Sequence, residues 1–246
     1  MSESASASIA TPPAKSSFWE DLIDIFVSPA GVFRRWQFRS AWPPMLFVAL
    51  AIGVITYFTF PSLEPVFDAE FTRGMAQAAK KGGPTPTPEQ IAVIRGYSTA
   101  AARYSITLIM LFTMFILGTA TFLVGKLFGS KQTYGAALVV AAWAYMPRVI
   151  GSVLGGVQGL LMDPAKLTSA LAISLSPARF FDPDTTNPLL FQLMGRFDLI
   201  TIWVTILLAV GVYVTGKVSK SNAVLFGITI WILGALPALR QAFVAM

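Results

Sequence analysis

The chain contains no cysteine and no histidine. Those two absences remove thiolate nucleophiles, disulfides, imidazole general bases and the usual zinc ligand sets together. Charge is also scarce, with Asp, Glu, Lys and Arg making up 12% of 246 residues. Any catalysis would rest on carboxylate, lysine, serine or tyrosine. No phosphate-binding glycine loop, serine elbow or pair of aspartates inside an apolar run is present. The chain therefore reads as non-enzymatic, with no catalytic residue, cofactor or metal site expected.

What the chain does have is apolar surface. Hydrophobic residues are 55% of the whole and mean hydropathy is +0.67, so the bilayer must act as solvent for much of it. A formal charge of +6 would suit nucleic acid, but the 18 basic residues are scattered or flank apolar runs instead of forming a stripe. Anionic lipid head groups suit that distribution, and nucleic acid is set aside.

Five apolar stretches run near residues 41–60, 104–127, 134–162, 199–215 and 223–239. Each approaches or exceeds the roughly 20 residues that cross a hydrocarbon core about 30 Å thick. Hydrocarbon offers no partner to backbone amides and the runs do not alternate as barrel strands do, so helices are expected. The expected fold is all-α: a polytopic bundle of five transmembrane helices with an N-terminal amphipathic cytoplasmic helix. The short connections 128–133 and 216–222 predict antiparallel hairpins of spans two with three and four with five.

Residues 1–17 read as a small, polar, disordered tail rather than a signal peptide. Residues 18–40 follow as an amphipathic helix and basic juxtamembrane segment, and 41–246 as the membrane domain. Ser17 and Glu20 are spaced as a capping box for a helix over Phe18 to Val27, stopped by Pro29 and Gly31. Phe18, Leu22, Ile25 and Phe26 share one face, and Glu20, Asp21 and Asp24 lie away from it. That face can meet lipid, the bundle or a protein partner. In the loop 61–103, Thr87 and Pro88 suit a helix start, so span two is expected to begin outside the membrane. In the second long loop one short surface helix is expected over Leu167 to Ser174. Arg34, Arg35, Arg39, Lys126, Lys131, Lys217 and Lys220 fall on one side of five spans, which makes that side cytoplasmic and a bacterial plasma membrane the expected location.

Three local segments carry a resemblance. They are Phe26-Val27-Ser28-Pro29-Ala30-Gly31-Val32-Phe33, then Lys126-Leu127-Phe128-Gly129-Ser130-Lys131 with Trp143-Ala144-Tyr145-Met146-Pro147 downstream, and Phe197-Asp198-Leu199-Ile200-Thr201-Ile202-Trp203. The chain resembles a prokaryotic-type member of the Yip domain family, five-span membrane proteins named for binding Ypt and Rab GTPases. The resemblance implies membrane organisation, trafficking or scaffolding and carries over no catalytic residue. The aspartate-leucine-tyrosine-glycine-proline motif of eukaryotic members is absent, so no GTPase-binding residue is carried over either.

The third span is the most unusual segment. Pro147 lacks an amide and so frees the carbonyl of Trp143, which Arg148 could cap. An arginine at membrane depth is unfavourable by about 2.5–3.5 kcal/mol on insertion scales, so it needs a partner, a cavity or a role. Tyr145, Pro147 and Arg148 are candidate residues on that account, either as a structural kink or, in the alternative reading of a small transporter or channel component, as the lining of a polar path. Asp198 is expected to cap span four, with pairing to Arg148 or Arg196 as its second reading. Gly151, Gly155 and Gly159 form a smooth face for close helix packing. Packing within the chain is favoured over a homo-oligomer, because a five-helix protomer has several internal interfaces.

Overall fold

The computed structural model describes residues 16–83 and 86–245, so nearly all of the expected tail lies outside the described residues. The chain is built from helices α1 (Phe18–Val27), α2 (Pro29–Trp36), α3 (Trp42–Lys80), α4 (Pro88–Tyr104), α5 (Ile106–Leu127), α6 (Tyr134–Ala144) and α7 (Pro147–Leu161). These are followed by α8 (Pro188–Arg196), α9 (Leu199–Gly216), α10 (Lys220–Leu233) and α11 (Leu236–Ala245). Five segments among the described residues are long and apolar enough to cross a membrane: Trp42–Lys80, Ile106–Leu127, Tyr134–Leu161, Leu199–Gly216 and Lys220–Arg240. The last covers α10 and the start of α11, which are separated at Gly234 and Ala235.

The expected capping box at Ser17 forms, and the helix start expected at Thr87 is a capping box as well. Ser17 accepts from the amide of Glu20 while Glu20 accepts from the amide of Ser17, and Thr87 and Gln90 do the same for α4. Pro29, however, does not end the N-terminal helical region. It occupies the first turn of α2, where a missing amide costs nothing, so α1 and α2 make a helical hairpin around Ser28. Ile25, Val32 and Phe33 of this hairpin are fully buried against α6 and α9. Asp21 was expected on a solvated face and is instead fully buried. Its carboxylate takes the Nε of Arg35 at 2.8 Å and the Nε1 of Trp36 at 2.6 Å, which is why burial is tolerated.

The first span also departs from expectation, continuing as one helix through Pro61 and Pro65 to Lys80. Proline here is braced from outside. The hydroxyls of Thr59 and Ser62 donate to the carbonyls of Ile55 and Thr59, Phe60 stacks on Phe67 at 4.7 Å, and Arg103 of α4 lies 4.4 Å over the Tyr57 ring. Beyond the apolar run, Asp68 of α3 holds Arg95 of α4 through bonds of 2.9 and 2.5 Å. The surface helix expected at Leu167 to Ser174 does not form. Turns follow the short 3-10 helix Pro164–Lys166, and the α-helix of this connector is α8, capped by Asn187 and opened by Pro188.

At the opposite end, the two short turns are joined. The amide of Lys131 donates to the carbonyl of Gly216, Asn222 Nδ2 to the carbonyl of Phe128, and Thr215 Oγ1 to Gln132 Oε1. Gly129 has φ +77°, a left-handed conformation that suits glycine at the tip of this turn. The hairpins α5–α6 and α9–α10, which the short connections predict, are thereby fixed side by side.

Candidate functional site: a polar pocket at the break in the third span

The third span is broken where the sequence indicates, between Ala144 and Pro147. The freed Trp143 carbonyl is not capped by Arg148, however. It accepts from the Met146 amide at 3.2 Å in a tightened last turn, leaving the guanidinium to reach across to α9. There Nη2 of Arg148 donates to Thr201 Oγ1 at 2.8 Å, and Nη1 lies 3.8 Å from Asp198 Oδ2. The partner comes from the rim of another span, which is why searching the apolar runs for a carboxylate does not find it.

Asp198 caps α9, and its Oδ2 also lies at the edge of ion-pair range from Arg148. Its Oδ2 accepts from the amide of Thr201 at 2.8 Å as the N-cap of α9 and from the Thr201 hydroxyl at 2.9 Å. Its Oδ1 accepts from the amide of Leu175 at 3.1 Å, pinning the connector over the start of α9. Thr201 Oγ1 thus donates to the carboxylate and accepts from the guanidinium, bridging the two charges. Arg196 lies beside this pair, with Nε and Nη2 on the carbonyl of Trp231 at 3.0 and 2.6 Å. Burial pushes the Arg196 guanidinium below its ordinary value, the charge of Arg148 acts in the same sense, and Asp198 opposes both.

Around this cluster is a half-open cavity of about 390 Å³. Arg148, Asp198, Thr201, Ser152 and Ser174 supply its polar lining, and Ile52, Met110, Leu154 and Leu171 are among its apolar walls. Tyr145 also lines it, with its ring 5.9 Å from the Arg148 guanidinium. Pro147 is buried and sets the break rather than lining the cavity.

The glycines divide. Gly151 lines the cavity and faces Ile200, Gly155 faces Ile173 with ordinary spacing, and Gly159 is pressed against Ser62 and Leu63 of α3. Gly156, which the four-residue pattern omits, is the glycine set against Thr59 of α3. Contacts of this face are therefore internal to the chain, with three separate elements and not with one neighbouring helix. Thr201 and Ser174 were not marked by the sequence. Thr201 could have been found only indirectly, as the residue whose amide an N-cap at Asp198 would bond. Ser174 had no signal.

Five apolar helical segments, with irregular backbone confined to a protein-lined pocket and to the ends, define a multi-pass integral membrane protein in contact with the lipid bilayer. The chain belongs to the Yip1 domain family, which matches residues 23–239. It is similar to the membrane protein YknW of Bacillus subtilis (strain 168), with 22% identity over 218 residues, covering 85% of this chain and 86% of that one. No solved structure matches it.

Proposed function

We propose that this protein is a non-enzymatic membrane organiser of a bacterial plasma membrane, whose α1–α2 hairpin is seated as a wedge at the depth of the spans. One observation carries the reading. Asp21 and Asp24 of α1 are turned inward onto Arg35, while Trp19, Ile23 and Val27, one turn apart, point outward at 69%, 68% and 74% exposure. An amphipathic helix on an aqueous surface would do the reverse.

The height of the hairpin in the bundle agrees. Phe18 packs on Trp143, nine residues or about 13 Å along α6 from its start at the short turns. Phe26 packs on Trp203, in the opposite half of α9. Both ends of α1 therefore lie beside the spans, not beneath them. Clustered basic residues at the end bearing the two short turns support its assignment to the cytoplasm. The cavity at Arg148 gives little support to a conducting path, because beneath Tyr145 the third span is filled by Ala141, Ala142, Trp143 and Ala144, all fully buried.

The absence of native cysteine makes the test direct. Single cysteines at Ile23 and Val27, labelled with an environment-sensitive dye in reconstituted vesicles, should be quenched by spin-labelled lipid and protected from a membrane-impermeant maleimide. Arg39→Cys, exposed at the end that bears the short turns, should react freely. Equal aqueous reactivity at all three positions would sink the wedge, and a specific cross-link from Val27→Cys to a protein would replace lipid by a protein partner or a second copy.

A further inference from the structure

We propose that the cavity at the break of the third span binds a phosphate group carried by an anionic lipid, with the Arg148 guanidinium as its anchor. This site is separate from the N-terminal hairpin and stands or falls independently of it.

Charge is the first argument. The ionised groups at the cavity and directly beside it are Arg148, Asp198 and Arg196, two cations against one carboxylate. Asp198 is committed elsewhere, to two amides and a hydroxyl, and Arg148 meets it only at 3.8 Å. Unfilled donor capacity is the second. A guanidinium has five N–H groups, of which Arg148 makes one hydrogen bond, from Nη2 to Thr201, while the side chain keeps 36% of its surface exposed. A phosphate oxygen supplies the missing acceptor, and its geometry matches the guanidinium fork.

Shape and depth select the carrier of that phosphate. A cavity of about 390 Å³ lies within the roughly 300–1,000 Å³ of small-ligand sites. Thr201 and Met110 are the third and fifth residues of their helices, so the cavity opens within about 6 Å of where α9 and α5 begin. Head groups and glycerol occupy that level when apolar helices begin at the membrane boundary. Ile52, Met110, Leu154 and Leu171 give an apolar wall along which acyl chains can lie, which a free phosphate would not use.

The experiment is native mass spectrometry of the full-length protein, re-extracted from nanodiscs that hold equal phosphatidylglycerol and phosphatidylcholine. The wild type should retain one phosphatidylglycerol in preference to phosphatidylcholine. Arg148→Gln should lower that retention about tenfold, the scale of one charge-assisted contact. Arg148→Lys, which keeps the charge but not the fork, should fall between them. Arg39→Gln removes an exposed arginine at the other end of the bundle and should change nothing. Elution volume and melting temperature verify folding; if Arg148→Gln fails there, Arg148→Lys and Thr201→Val carry the comparison. Equal retention by wild type and the Arg148 variants, or no preference for the anionic lipid, overturns the proposal. Displacement of the lipid by millimolar inorganic phosphate overturns the lipid assignment in favour of a soluble phosphate.

Discussion

Two of the ionic clusters among the described residues are built on opposite plans. At the N-terminal hairpin one arginine, Arg35, faces two carboxylates, Asp21 and Asp24, and the Trp36 indole closes the remaining side. At the third-span break Arg148 faces one carboxylate, Asp198, and the charge of Arg196 lies nearby, its own hydrogen bonds going to the Trp231 carbonyl. The first cluster surrounds a fully buried acid whose bonds are short and complete. Its neighbour is open to a cavity and leaves an arginine nitrogen unmatched. Their guanidinium groups respond accordingly. Burial pulls Arg35 down, but hydrogen bonds and charge from Asp21 and Asp24 outweigh it and hold the group above its ordinary value. For Arg196 burial prevails and the shift is downward. A complete cluster holds two elements together, whereas an incomplete one with a cavity is suited to accept something else.

The largest expected effect tests the complete cluster. Asp21→Ala leaves the Trp36 indole nitrogen and part of the Arg35 fork buried without an acceptor. Removing one partner of a buried pair commonly costs about 3 kcal/mol or more. Loss of that order in an SDS-titration stability measurement, with a rise in labelling of a cysteine at Val27, is the expected result. A loss below about 1 kcal/mol would mean that Asp24 alone suffices to hold Arg35.

The next substitutions test whether the open cluster depends on its frame. Gly156 faces Thr59 with no room for a side chain, so Gly156→Leu must push α7 off α3, a strain of about 1–3 kcal/mol. Gly155→Ala, facing Ile173 at ordinary distance, should be tolerated. Equal melting temperatures for these two variants would deny the tight contact. Asp198→Asn retains one acceptor oxygen and weakens the cap and the hold on Leu175, for about 1 kcal/mol. Exchanging the charges of Arg148 and Asp198 should not restore this loss, because the cap requires an acceptor at residue 198.

Much of the frame was legible in the sequence. Apolar length alone marked the five spans, since in hydrocarbon a long apolar run has no alternative to helix. Ser17 with Glu20, and Thr87 with Gln90, marked helix starts because capping is local chemistry. Pro147 marked the break for the same reason. What was not legible depended on distant partners. Residues from Pro61 onward read as a loop until Arg103, Phe67 and the glycines of α7 are seen bracing a continued helix. Asp21 read as solvated because its partners are 14 and 15 residues away on a second helix, whose own existence hung on whether Pro29 stops one helix or starts another. Arg148 read as self-capped because its partners lie 50 and 53 residues further on, beyond an irregular connector.

The smallest expected effect separates the two clusters most sharply. Arg148→Ala removes an intramembrane charge, yet it should change stability by about 0.5 kcal/mol or less. Asp198 would keep the two amides and the hydroxyl that already satisfy it, so no buried acceptor is orphaned. Arg148 is itself 36% exposed to the cavity, so its removal leaves space that water or lipid can enter instead of a sealed void. The guanidinium and the carboxylate are also too far apart at 3.8 Å for a strong hydrogen bond to be lost. If SDS titration instead shows a loss comparable with that of Asp21→Ala, both clusters are structural and the cavity is only a gap between helices. If stability holds while retention of anionic lipid falls, the positive charge at the break has been kept for binding and not for the fold.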